Sequence, residues 1–116
     1  MDDRDIIALY WQRMEAAIHE TAAKYGGLCY TIAHNILFSR EDSEECVNDT
    51  YLRAWNAMPP HRPAVLSAFL GKITRNLALN RHRKDAAEKR GGGEVDAVFE
   101  ELAQVVSHQD TPVSLN

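Results

Sequence analysis

Apolar residues recur every three or four positions over most of residues 4–84, and this spacing predicts amphipathic helices. The predicted helices cover residues 4–25, 28–37, 41–57 and 64–84, and the last of them frays towards residue 90. Gly26-Gly27 is expected to break or kink the chain between the first two, because glycine weakens a helix interior. The pattern therefore predicts an all-α fold, a compact bundle of about four helices.

Local signals mark where the third and fourth predicted helices meet. Residues 39–42 fit a capping box, which predicts a helix start at this point. Residues 58–63, MPPHRP, contain three prolines that end the third helix and stiffen the connection. A rigid turn between helices accounts for these prolines. The same loop also projects His61 and Arg62 beside the fourth helix, where they could form a small recognition pocket.

The fourth predicted helix carries two different ridges. The spacing of a buried helical face is followed by Leu66, Phe69, Leu70, Ile73 and Leu77. A second ridge, here called the basic ridge, consists of Lys72, Arg75, Asn76, Leu79 and Arg83. The two ridges lie roughly a quarter turn apart on the helix. One helix thus buries an apolar ridge and presents basic and amide groups beside it, which indicates an anionic partner.

Charge is segregated along the chain, although the net charge is only −4. Residues 1–52 carry four Lys or Arg against ten Asp or Glu, whereas residues 53–90 carry nine against two and residues 91–116 none against five. Because salt screens charges beyond about 8 Å, the local distribution decides binding more than the isoelectric point of the whole chain. On charge alone, nucleic-acid contact and a solvated basic face are equally supported.

Several classes of protein are excluded by what the sequence lacks. It has no GxxxxGK[ST], HExxH or GxGxxG motif and no arrangement of Ser, His and Asp that indicates catalysis, so we expect no enzyme, metal or cofactor. Cys29 and Cys46 form no CxxC motif and are expected to be partly buried thiols in a reducing cytoplasm. The chain also has no apolar run of the roughly 18–20 residues needed to span a membrane.

Two segments, DSEECVNDTYLRAWNAMP at 42–59 and FLGKITRNLALNRHR at 69–83, resemble the second conserved region of bacterial sigma factors. The resemblance is strongest to the extracytoplasmic-function (ECF) group of the sigma-seventy family and covers roughly residues 5–90. It implies a helical domain that binds RNA polymerase and recognises and melts the minus-ten promoter element. An anti-sigma factor is a further partner that the resemblance implies.

The resemblance also assigns roles to individual residues. It implies a docking surface for the clamp coiled coil of the polymerase β′ subunit, formed by Glu45, Asn48, Asp49, Leu52 and Arg53. It implies capture of the non-template DNA strand by Asn56, His61, Arg62, Lys72, Arg75, Asn76, Leu79, Asn80 and Arg83. Residues 56–66 would form the specificity loop, which receives a base flipped out of the stack.

The chain departs from the family pattern in a few places. Glu45, Asn48, Phe69, Thr74 and Asn80 stand where the family has Asp, Gln, Trp, Ala and Asp. We also expect residues 91–116 not to form the family's helix-turn-helix for the minus-thirty-five element, because they are too short and too acidic. We therefore expect a region 2 domain over 1–90 and a linker or tail over 91–116, where the spacing of apolar residues from Val95 to Val106 is compatible with a short amphipathic helix.

Two other functions are also compatible with the sequence. The chain could be a helical adaptor whose acidic and basic faces both bind proteins, without DNA specificity. It could also bind nucleic acid regardless of sequence, through phosphates alone. Sequence-dependent binding of single-stranded DNA, together with binding to the β′ clamp, would distinguish the sigma-factor interpretation from both.

Overall fold

The computed structural model describes residues 1–90, which form four helices. They are α1 (Asp3–Trp11), α2 (Ala16–Leu37), α3 (Arg40–Ala57) and α4 (Leu66–Arg90). The three longer helices pack against one another in every pairing, and α1 packs against α2. The predicted all-α bundle is confirmed. The amphipathic segment predicted within 91–116 lies outside the described residues. Among the helices of residues 1–90, none combines the length and the apolar character of a membrane span.

The division of the first two helices was predicted wrongly. The chain leaves the helix at residues 12–15, and α2 then runs without a break through Gly26 and Gly27. A Cβ atom at Gly26 would lie 3.0 Å from the hydroxyl oxygen of Tyr51, so glycine here lets α2 approach α3 closely. The break occurs where Arg13 adopts a φ of 58° and directs its guanidinium to the end of α3. Tertiary contacts have therefore outweighed the local pattern.

The two glycines of α2 give a matched pair for a stability measurement. Gly27→Ala should raise the free energy of unfolding by about 0.5–1 kcal/mol, because alanine favours the helix and nothing lies within 4 Å of the new Cβ. Gly26→Ala gains the same helix propensity but must displace the Tyr51 hydroxyl, so it should stabilise less or destabilise. Urea unfolding followed by circular dichroism measures both. Equal gains would show that α2 and α3 are not in close contact at Gly26.

The core is formed mainly by apolar residues of all four helices. The largest fully buried side chains include Ile6, Tyr10, Met58, Leu66 and Leu70, and the remaining residues of the predicted apolar ridge are partly buried. Leu79, which we placed in the basic ridge, is only 5% exposed and belongs to the core. Leu79 lies roughly 180° around α4 from Leu70, so the buried residues of α4 are not confined to the predicted apolar ridge.

Polar groups within the core are paired. The hydroxyl oxygens of Thr50 on α3 and Thr74 on α4 lie 2.9 Å apart, so one hydroxyl donates to the other. Thr74 stands where the sigma-factor pattern has alanine, and its buried hydroxyl is paired with Thr50 and with the backbone carbonyl of Leu70 at 3.0 Å. Cys29 and Cys46 are buried free thiols, and burial raises the pKa of Cys46 to about 11. Both cysteines therefore act as small apolar side chains at neutral pH.

Candidate functional site

One exposed face of α3 contains all the residues predicted to bind the polymerase. Ser39 caps the helix, and its hydroxyl accepts a hydrogen bond from the backbone N–H of Asp42 at 3.2 Å. The exposed residues, here called the α3 stripe, are Glu45, Asn48, Asp49, Leu52 and Arg53. They span an arc of roughly 140° on the helix, and the opposite side packs into the core.

The α3 stripe has the composition of a protein-binding surface. Leu52 is 57% exposed although it is apolar, and polar or charged groups surround it on the helix. An apolar contact within a charged rim is typical of an interface in which burial gives affinity and charge gives orientation. The acidic residues Glu45 and Asp49 favour a basic partner.

Arg81 joins α4 to the beginning of α3, a role that the sequence did not reveal. Its Nη1 atom lies 2.8 Å from Oε1 of Glu45, and its Nη2 atom lies 2.9 Å from Oδ1 of Asp42. The hydrogen bond that Arg81 donates to Glu45 raises the pKa of Arg81. Glu45 is therefore already paired within the domain, which leaves Asp49 as the acid of the α3 stripe that has no ion pair within residues 1–90.

Removing the Arg81 bridge should lower stability in a salt-dependent way. We expect Arg81→Met to reduce the free energy of unfolding by about 1 kcal/mol at low salt, a value that allows for solvent screening of a partly exposed pair. Arg40→Met provides the control, since Arg40 makes only an exposed pair with Glu44 on the same helix. Urea titrations at 50 mM and 1 M salt measure the difference. If Arg81→Met lowered the free energy of unfolding by the same amount at both salt concentrations, this would argue against an ionic contribution.

The basic ridge without the buried Leu79 is exposed in part along α4. Lys72 and Asn76 are exposed, as is the neighbouring Asn80, whereas Arg75 and Arg83 are partly buried. Burial lowers the pKa of Arg75, but a guanidinium remains protonated at neutral pH. Arg83 donates a hydrogen bond from Nη2 to Oδ1 of Asn80 at 2.8 Å. At about 100° per residue, Arg81 lies on the opposite side of α4 from Lys72, so the basic ridge points away from the seam with the α3 stripe.

The specificity loop is held against the turn between α1 and α2. Nε1 of Trp11 donates a hydrogen bond to the carbonyl of His61 at 3.0 Å, and the guanidinium of Arg62 lies 4.2 Å from the centre of the Trp11 ring. The side chains of His61 and Arg62 are exposed, as is that of Asn56 at the end of α3. No local pattern around Trp11 indicates this role, because its contacts lie about 50 residues further along the chain.

A cleft of about 350 Å³ adjoins the specificity loop. It is lined by Asp2, Asp3, Arg4, Ile7, Arg62, Pro63, Ala64 and Leu66. Within it, the carboxylate of Asp3 is held by Lys24 at 2.7 Å and by Tyr25 at 2.8 Å, and these contacts keep its pKa below the usual range. No part of residues 1–90 brings three His, Cys, Asp or Glu side chains into a metal-binding arrangement.

Comparison with known protein sequences shows which family the chain belongs to. The sequence profile of the family described as Sigma-70 region 2 matches residues 21–88, which include every candidate residue on α3, the loop and α4. The ECF RNA polymerase sigma factor SigE of Mycolicibacterium smegmatis is 23% identical over 93 residues, which are 80% of this chain and 34% of that protein. The chain thus spans about a third of this relative's length. No solved structure matches the chain. The family match covers more than half of the sequence, and the chain therefore belongs to the Sigma-70 region 2 family.

Proposed function

We propose that this chain is the polymerase-binding and promoter-recognition domain of an ECF-type sigma factor and catalyses no reaction itself. The observation that carries the proposal is the pair of exposed surfaces on α3 and α4. The α3 stripe is acidic around an exposed leucine, and the basic ridge carries cations and amides on the side of α4 away from Arg81. One helical unit can therefore bind a protein and a nucleic acid at the same time.

The α3 stripe is proposed to bind the clamp coiled coil of the polymerase β′ subunit. Leu52 would bury its exposed side chain against the partner, and Asp49 would pair with a basic residue. Glu45 contributes less, because Arg81 already neutralises part of its charge. An anti-sigma factor that covered this stripe would block polymerase binding. Binding to RNA polymerase implies that the chain is located in the cytoplasm.

The basic ridge and the specificity loop are proposed to hold the non-template strand of the minus-ten element. Lys72, Arg75 and Arg83 would contact phosphates, while Asn76 would bind base edges or sugars. Asn80 accepts a hydrogen bond from Arg83 and so orients the guanidinium without cancelling its charge, as a carboxylate would. His61 and Arg62 would read an unstacked base, for which the adjoining cleft offers space.

The isolated chain should bind DNA weakly. Three phosphate contacts predict a log–log salt slope of about −2 for a single strand, well below that of a strong DNA-binding protein. The excess of acidic residues in the first half of the chain also repels DNA. We therefore expect that binding to the polymerase is needed to hold DNA near the chain at a high effective concentration.

A binding experiment with two ligands tests the proposal. Labelled single-stranded oligonucleotides that cover all variants of a short motif are titrated with the chain, with and without a β′ clamp fragment, and a duplex of the same sequence serves as the control. We expect the chain to bind the clamp and to prefer a few single strands over the rest and over duplex. Uniform affinity across sequences would contradict the role of the loop. Failure to bind the clamp would contradict the role of the α3 stripe.

A further inference from the structure

We propose that Trp11 and Arg13, at the turn between α1 and α2, are positioning residues that set the shape of the specificity loop and hence its discrimination between DNA sequences. The inference rests on the proposed function, because it assumes that the loop contacts bases. It adds two residues that lie outside both candidate surfaces. Arg13 contacts the chain where the loop begins, and Trp11 contacts the loop at its centre.

Arg13 holds the point where α3 ends and the loop begins. Its Nη1 atom donates hydrogen bonds to the carbonyl oxygens of Trp55 at 2.8 Å and Met58 at 2.6 Å. Carbonyls in the last turn of a helix have no partner within the helix, so a cation at this place acts as a cap. The guanidinium also lies 3.8 Å from the centre of the Trp55 ring, a cation–π contact. These contacts fix the direction in which the chain leaves α3.

The backbone of Arg13 ends α1 in a Schellman motif. Its φ of 58° lies in the left-handed region, which a residue with a Cβ atom rarely adopts outside such a cap. The N–H of Arg13 donates to the carbonyl of Tyr10, and the N–H of Met14 donates to the carbonyl of Leu9, both at 3.0 Å. From this cap the Arg13 side chain reaches the end of α3, where both hydrogen bonds of its guanidinium are made.

Trp11 holds the centre of the loop. Its indole N–H donates to the carbonyl of His61, and its ring supports the guanidinium of Arg62. The ring of His61 in turn lies 6.3 Å from that of Phe69 at the start of α4. The two loop residues proposed to read a base are thus both held from α1, one through its backbone and one through its side chain. A loop held in this way loses less entropy when DNA binds.

These contacts lie at the edge of the core, against which the Trp11 ring packs. Arg13 is exposed and Trp11 is partly exposed, whereas Tyr10, the residue before Trp11, is fully buried. All three of these side-chain hydrogen bonds end on backbone carbonyls, which every residue type provides. The support therefore holds the shape of the loop independently of most of its side chains, so that the loop's own residues can determine which base is read.

The variants Arg13→Met and Trp11→Phe separate positioning from general stability. Arg13→Met removes the donor and keeps the aliphatic stem, while Trp11→Phe removes the indole N–H and keeps a ring beneath Arg62. Arg40→Met and Tyr30→Phe are matched controls at exposed or partly exposed sites away from the loop. For each protein the measurements are the affinities for the preferred single strand, for a scrambled strand and for the β′ clamp fragment, together with the thermal unfolding midpoint.

We expect each variant to lower the ratio of preferred to scrambled affinity by about fivefold or more, since Trp11→Phe loses one hydrogen bond and Arg13→Met loses two, while clamp binding stays unchanged. The controls should keep the ratio of the natural chain. An unchanged ratio would overturn the inference, even if the affinities for both strands fell by the same factor. If Arg13→Met does not fold, Trp11→Phe decides by the same ratio. A natural chain without any sequence preference would instead overturn the proposed function, so the two failures can be told apart.

Discussion

Asp49→Arg is expected to raise the dissociation constant for the β′ clamp coiled coil about a hundredfold, the effect of placing a like charge in a charge-complementary contact. Asp49 is exposed in the middle of the α3 stripe and makes no ion pair within residues 1–90. It is therefore available to a basic partner, unlike Glu45, which lies 2.8 Å from Arg81. Titration of a labelled clamp fragment measures the loss, and circular dichroism should show unchanged helicity.

Glu44→Arg is the matched control for this prediction. It introduces the same change of charge on an exposed site of the same helix, but Glu44 lies roughly 100° away from the middle of the α3 stripe. Clamp affinity should change by no more than about threefold, since exposed charges outside a contact act mainly through screened long-range attraction. Equal losses for the two variants would show that general electrostatics, and not the α3 stripe, governs binding.

Leu70→Ala should lower the free energy of unfolding by about 3 kcal/mol, within the range of about 2–5 kcal/mol seen for buried leucines. Leu70 is 0% exposed and belongs to the main core cluster, so its removal leaves a cavity between packed helices. A loss of this size is a large fraction of the roughly 5–15 kcal/mol that stabilises a typical domain. Urea unfolding monitored by circular dichroism gives the value.

Val65→Ala is the corresponding control on the surface. Val65 precedes α4 and is 46% exposed, so truncation should change the free energy of unfolding by no more than about 0.5 kcal/mol. If Leu70→Ala costs no more than Val65→Ala, the orientation of α4 in the bundle is wrong. In that case the basic ridge would also have to be assigned to other residues, because its exposure depends on which side of α4 is buried.

Features that depend on neighbours in the sequence could be predicted well. Helical periodicity predicted that the residues of the α3 stripe share an exposed face, and the cap at Ser39 was confirmed. The same reasoning failed at Gly26, where the low helix propensity of glycine is outweighed by the close approach of Tyr51 on α3. Leu79 was misplaced because periodicity gives the angular position of a residue on a helix but not whether that position is covered.

Features that depend on residues far apart in the sequence could not be predicted. Arg81 finds its carboxylate partners on α3, 36 and 39 residues earlier, and no local pattern marks it as different from the other cations of α4. Arg13 and Trp11 reach the end of α3 and the specificity loop across 42 to 50 residues. Such contacts follow from how the helices pack, which the sequence pattern constrains only in part.

The central claim is that this chain couples polymerase binding to sequence-selective capture of single-stranded DNA. Its most direct test is selection from a randomised single-stranded library by the chain bound to polymerase core, with core alone as the control. We expect the strands retained by the complex to converge on one short motif and those retained by core alone to show no motif. A pool retained by the complex that remains as random as the starting library would contradict the claim.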